Sequence, residues 1–173
     1  MSNEVQKSIF ETVHERLTEK KNKYEWELFV DGASRGNPGK AGAGIYLKRN
    51  NKDSVKAGFV LGKKTNNEAE YLALLIGIML LKKEIKPGEG VTVISDSQLL
   101  IRQLDGTYKV KKPELQQLHT AIFSELGAIK TSFNHVEREY NTIADELANK
   151  GIDENITLPL KMLDTLRSYE IFL

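Results

Sequence analysis

Four acidic side chains, Asp31, Glu70, Asp96 and Asp145, stand where folding alone does not call for an acid. Asp31 and Asp96 each close a β-branched or alternating apolar run. Glu70 falls in the first turns of a helix that is otherwise apolar, and Asp145 lies between Ala144 and Leu147 on a late helix. Brought together, unpaired carboxylates must take up protons or bind cations, because burying their charge is costly. The chain has no cysteine and three histidines, so metal chemistry here must lean on carboxylate oxygens. Such donors select hard ions, Mg²⁺ or Mn²⁺. Taken singly, each acid has an ordinary explanation: an Asp after a strand forms turns, and an acid early in a helix favours the helix dipole. Together they suggest a site.

The elements that must position these acids follow from periodicity. Tyr24 to Val30 alternates like a strand ending at Asp31, after which DGASRGNPG turns the chain. Ala41–Lys48 and Lys56–Leu61 read as two further strands around the Asn50-Asn51-Lys52-Asp53 turn, giving a three-stranded meander. Thr65-Asn-Asn-Glu68 fits a capping box before the apolar run Tyr71–Leu81. A strand over Val91–Ser95 and a helix over Ser97–Leu104 come next. They are followed by a basic loop from Gly106 to Pro113, a helix over Glu114–Leu126, a strand over Lys130–Val136 and a helix over Asn141–Lys150 stopped by Gly151. Right-handed β-α-β crossovers after a meander predict an α/β fold, a five-stranded mixed sheet with helices on both faces. In its parallel part, Asp31 and Asp96 fall on neighbouring strand ends, where α/β folds place ligands.

Two segments flank this unit. Residues 1–23 carry Val5, Ile9, Val13 and Leu17 at four-residue steps, a short amphipathic helix. Residues 152–173 hold Leu160, Leu163, Leu166 and Tyr169 at three-residue spacing after Pro159, a second amphipathic segment. The division is thus 1–23, 24–151 and 152–173, with packing of the ends on the domain ranked ahead of dimer or partner contacts, and a monomer expected.

A chain of 173 residues with 40% hydrophobic and 28% charged residues suits one globular domain that needs no disulfide. No apolar run approaches a membrane span, and MSNEVQKSIFETVHERL lacks the apolar core of a signal peptide. A cytoplasmic protein is expected. With a net charge of +1, nucleic-acid binding must come from local patches.

The wording around all four acids resembles the type-1 ribonuclease H family: VDGASRGNPG, TNNEAE, SDSQLL and NTIADELAN stand in the family's order over about Tyr24 to Gly151. The resemblance makes Asp31, Glu70, Asp96 and Asp145 the catalytic and metal-binding acids. Glu70 is taken over Glu68 because the family pattern is Thr-Asn-x-x-x-Glu. It implies endonucleolytic hydrolysis of the RNA strand of RNA/DNA hybrids with two Mg²⁺ ions, for which Mn²⁺ could substitute. By the same resemblance Asp31 bridges the ions, Asp145 serves the nucleophile side, and Glu70 and Asp96 serve the leaving group. Many members carry a His-bearing loop before the fourth acid. Anchoring on Asn141, four residues before Asp145, shortens that loop here and puts His135 at a strand end. A structural His135 and an assisting Arg138 are therefore expected.

Substrate contacts are expected from Asn37, Asn66 and Asn67, which match family positions facing the minor groove, where 2′-hydroxyls are exposed. Thr65 with Lys63 could hold a DNA phosphate at a helix start. Lys109, Lys111 and Lys112 beside Tyr108 form a basic stretch for backbone phosphates, in a loop shorter than the basic protrusion of some relatives. Two rivals share the fold: a non-catalytic nucleic-acid-binding module and a DNA-acting nuclease. Retention of all four acids counts against the first, and the Asn positions against the second.

Overall fold

The computed structural model describes residues 24–173, so the helix expected within residues 1–23 lies outside the described residues. Strands β1 (Trp26–Gly36), β2 (Gly39–Arg49) and β3 (Lys52–Lys64) form an antiparallel meander. In parallel, β4 (Gly90–Ser95) joins β1 and β5 (Lys130–His135) joins β4, giving one sheet in the order β3-β2-β1-β4-β5. Among the described residues five α-helices occur in chain order: α1 (Asn66–Leu81), α2 (Gln98–Leu104), α3 (Pro113–Leu126), α4 (Thr142–Asp153) and α5 (Leu160–Ser168). This is the expected five-stranded mixed sheet with helices on both faces.

Alternation along the strands builds the two layers. Leu28, Val30, Ile45, Leu47, Val91 and Val93 belong to the main core, which α1 and α3 complete. Phe29, Tyr46 and Ile94 face the other way and pack with Ala144 of α4. Helix α1 is apolar all round because it lies between the sheet and α3, with eleven buried residues. Its start is the expected capping box: Thr65 accepts from the Glu68 amide, while the Glu68 carboxylate accepts from the Thr65 amide. Asn50 and Asn51 make the β2–β3 turn at φ 49° and 62°, a conformation that Asn tolerates better than most residues.

Three sequence expectations are corrected. First, β1 does not end at Asp31: Asp31 pairs with Gly44, and the ladder continues to Gly36↔Gly39, leaving only Asn37-Pro38 as the turn. What ends near Asp31 is the parallel pairing with β4, whose last partners are Phe29 and Ile94. Second, Gly151 does not stop α4, which continues to Asp153. A Cβ at Gly151 would lie 2.4 Å from the Phe59 amide nitrogen, so this glycine serves helix–strand contact rather than termination. Third, the buried positions of the tail beyond α4 are Leu158, Met162, Leu166 and Ile171, whereas Leu160 is 74% exposed. A three-residue step drifts around a helix of 3.6 residues per turn, so the expected stripe cannot all face the core.

Two glycines decide how closely the helices reach β1 and β2. A Cβ on Gly32 would stand 2.1 Å from the Glu70 amide nitrogen, and one on Gly44 would stand 1.9 Å from the Ala144 carbonyl oxygen. Both gaps sit beside Asp31, so the missing side chains let α1 and α4 deliver Glu70 and Asp145 to it. Among the described residues no helix is long and apolar enough to cross a membrane.

Gly44→Ala should therefore push α4 off the sheet, costing about 2–3 kcal/mol as overpacking and lowering Tm by roughly 5–10 °C. A melting curve within 1 °C of the parent would show that this contact is not tight.

Candidate active site

Asp31, Glu70, Asp96 and Asp145 line one open cavity of about 400 Å³, together with Asn66 and Arg138. Each acid comes from a different element. The parallel register Trp26↔Val91 through Phe29↔Ile94, carried two residues further, sets Asp31 level with Asp96. Glu70 arrives on the second turn of α1 and Asp145 on the first turns of α4.

Neutral donors hold these carboxylates in place. Glu70 accepts from Asn66 Nδ2 at 3.1 Å and from Ser97 Oγ at 2.5 Å, so both its oxygens are engaged. Asp96 Oδ1 accepts from Asn141 Nδ2 at 2.7 Å. Arg138, on a single 3₁₀ turn over Arg138–Tyr140, reaches Asp145 Oδ1 at 3.4 Å. Its side chain is 79% exposed, so water screens its charge and it neutralises the cluster poorly.

The electrostatics follow from that shortage of positive charge. Burial pushes the Asp31 carboxyl up to about 8, helped by the negative charges of Asp96, Asp145 and Glu70. Burial also raises Glu70 to about 7, the Asp96 charge adding to this, while hydrogen bonds from Ser97 and Asn66 work the other way. Among the described residues no three acidic or histidine side chains already stand as a ligand shell. The donor set is nonetheless all oxygen and starved of positive charge, which fits hard divalent cations and no softer metal.

Asn66 connects to the β1–β2 turn, since its amide N–H donates to Asn37 Oδ1 at 3.1 Å. Asn67 and Thr65 sit beside it at the start of α1, although the Thr65 hydroxyl is already bonded to Glu68 at 2.6 Å. Exposed Lys63 pairs with Lys40 near the end of β3. Lys109 and Lys112 are not in the acidic cavity: Lys109 lines a second one of about 420 Å³ with Tyr108 and Phe123, and Lys112 stands just before α3 without a side-chain capping bond. His135 ends β5, exposed, with Nε2 3.2 Å from the Asp96 carbonyl oxygen.

Sequence reasoning passed over Ser97, Asn149 and Arg35. Ser97 follows Asp96 directly, and a hydroxyl next to a candidate acid was the available signal. Asn149 lines the cavity and donates to the Asp145 carbonyl at 3.0 Å. Arg35 lines it too, paired with Asp153 at 2.6 Å, a partner 118 positions away that no local pattern announces.

Comparison with known proteins agrees with this geometry. A family model described as reverse transcriptase-like matches residues 29–151. Ribonuclease HI of Halobacterium salinarum is 37% identical over 129 residues, covering 73% of this chain and 63% of that protein. Ribonuclease H of Coxiella burnetii is 36% identical over 148 residues, covering 73% and 89%. A bifunctional protein of Mycobacterium tuberculosis is 39% identical over 130 residues, and there the match spans 34% of the relative's length. Among solved structures, RNase H1 from Halobacterium salinarum superposes with a TM-score of 0.71 at 33% identity, over 75% of this chain and 98% of that one. LC11-RNase H1 in complex with an RNA/DNA hybrid gives 0.70 at 34% identity, over 75% and 97%. Four motifs in order, four acids in one cavity and these matches agree: the chain belongs to the type-1 ribonuclease H family.

Proposed function

We propose that this protein hydrolyses the RNA strand of RNA/DNA hybrids endonucleolytically, holding two Mg²⁺ ions among Asp31, Glu70, Asp96 and Asp145. The observation that carries this reading is the convergence of four carboxylates on one open cavity, with Arg138 the only cationic side chain bonded to any of them among the described residues. When bound, the ions would lower the pKa of the attacking water and stabilise the leaving 3′ oxygen.

The chain's own residues do the rest. Ser97 and Asn66 keep both oxygens of Glu70 oriented, so its position is preorganised before substrate arrives. Arg138 stands at the cavity rim, free enough to turn from Asp145 toward a phosphate. Asn37, Asn66 and Asn67 present amides at the same edge, where a minor groove would bring 2′-hydroxyls. Lys63, with the start of α1, and Lys109 and Lys112 on the α2–α3 loop supply charge for the backbone of the DNA strand. One copy carries the complete set, so we read the active species as a monomer, and a chain without cysteine suits a reducing cytoplasm.

Incubated with Mg²⁺ and a hybrid labelled on its RNA strand, the protein should make internal RNA cuts. Asp96→Asn should reduce them by about three orders of magnitude, as loss of several kcal/mol of transition-state stabilisation implies. Failure with both Mg²⁺ and Mn²⁺ while the hybrid still binds would favour the binding module, and cutting of duplex DNA instead would favour the DNA-acting nuclease. The double variant Lys109→Ala/Lys112→Ala should bind the hybrid more weakly and lower the salt slope by about two, leaving kcat unchanged.

Metal-free protein should also lose stability as pH rises. Asp31, ordinarily near 3.8, holds its proton to about 8 in the folded state, and Glu70, ordinarily near 4.5, to about 7. The folded form therefore binds more protons than the unfolded chain from about pH 4 to pH 8, and its advantage disappears across that window. In EDTA, Tm should fall from pH 5 to pH 8, and Asp31→Asn should flatten the slope and raise Tm at pH 8 by several degrees. A Tm that is level or rising over that range in EDTA would contradict the clustering of uncompensated charge.

A further inference from the structure

The acids and the groove-facing residues leave Asn141, a buried polar side chain beside the site, without a role. Asn141 is 2% exposed. Its Nδ2 spends one hydrogen on the Val30 carbonyl at 3.0 Å and the other on Asp96 Oδ1 at 2.7 Å. Both partners are acceptors, so the amide has a single sensible orientation, with nitrogen toward them. Its Oδ1 is left buried with no hydrogen-bond partner, an arrangement unfavourable enough to need a reason.

The backbone of the same residue joins the 3₁₀ turn to α4. The Asn141 N–H donates to the Arg138 carbonyl at 3.0 Å, and the Asn141 carbonyl accepts from the Asp145 N–H at 3.2 Å. One residue thus touches Asp96 itself, the residue before Asp31 and the amide of Asp145. Other side chains do not fit this place. Asp would add a fifth acid and lose the donors, Ser supplies one hydrogen in place of two, and Gln is a methylene too long for a filled site.

We propose that Asn141 is the positioning residue of the acidic cluster, orienting Asp96 for metal binding and holding the middle of β1, the end of β4 and the start of α4 in register. The proposal rests on the metal-dependent reading above. Asn141 touches no reacting atom in this assignment and acts through Asp96, with a neutral donor that leaves the charge of the cluster intact. The effect of losing it must then depend on Asp96 being present.

The test is a double-mutant cycle read by calorimetry with Mn²⁺ alone on the full chain: parent, Asn141→Ala, Asp96→Ala and the pair. Asn141→Ala should weaken Mn²⁺ binding about tenfold or more when Asp96 is present and have no further effect once Asp96 is Ala. On the hybrid, kcat should drop about 10–100-fold with KM for the hybrid unchanged, and Asn141→Ser, which keeps one donor, should recover part of the loss. Asn141→Ser also serves if the alanine variant does not fold. Equal weakening in both Asp96 backgrounds, or a lower Tm with Mn²⁺ affinity and kcat intact, would reduce Asn141 to a packing residue and overturn the proposal. A parent protein that binds no Mn²⁺ would bring down the metal-dependent reading and this proposal together. A parent that binds it, beside an unchanged Asn141→Ala, would sink the proposal alone.

Discussion

Everything at this site answers to one electrostatic constraint: four carboxylates repel one another, and the fold must hold them together without a matching set of cations. Side-chain bonding does not supply the force, since Arg138 beside Asp145 is exposed and the bonded donors to Glu70 and Asp96 are neutral. Backbone packing supplies it. Where Gly32 meets α1 and Gly44 meets α4, there is no room for a Cβ, and the buried apolar layers on either face of the sheet keep these contacts closed. Burial first, and the neighbouring negative charges second, raise the proton affinity of Asp31 and Glu70.

The neutral donors then have a clear physical task. Hydrogen bonds from Asn66, Ser97 and Asn141 orient carboxylate oxygens without cancelling their charge, so the cavity keeps its appetite for divalent cations. A lysine in any of these places would hold a carboxylate more firmly and compete with the metal. The same economy runs along the cavity edge: Asn66 bonds both Asn37 and Glu70, so the β1–β2 turn is mechanically continuous with one of the clustered acids.

Outside the matched span 29–151, the tail extends the core rather than standing apart from it. Leu158, Met162, Leu166 and Ile171 are buried with the main cluster, Val60 N–H bonds the Ile156 carbonyl at 2.7 Å, and Gln117 bonds the carbonyls of Tyr169 and Glu170. Lys64 bonds the Phe172 carbonyl at 2.5 Å, placing the last residues beside the start of α1. The surface next to Asn66 and Thr65 is thus partly built by residues 170–173.

Local signals were legible wherever the cause is local. The capping box at Thr65, the apolar α1, the Asn50-Asn51 turn and the strand periods depend on neighbours within a few residues, and the four acids stood out because their surroundings were wrong for solvated charge. Some local signals have two causes: a glycine after a helical run marks either a stop or a close contact, and Gly151 is the contact. DGASRGNPG has the composition of a turn, which puts Asp31 at a strand end on local grounds, yet antiparallel pairing with β2 carries β1 on to Gly36. The type and order of the elements follow from the sequence itself, and the four acids that the fold gathers in one cavity are marked there by motifs that resemble the family's. Which carboxylate is held by which donor, that Arg35 pairs with Asp153, and that Asn141 meets both Val30 and Asp96 were decided only by the tertiary structure, because those contacts join residues far apart in the chain and exist only once the sheet and its two helix layers have closed.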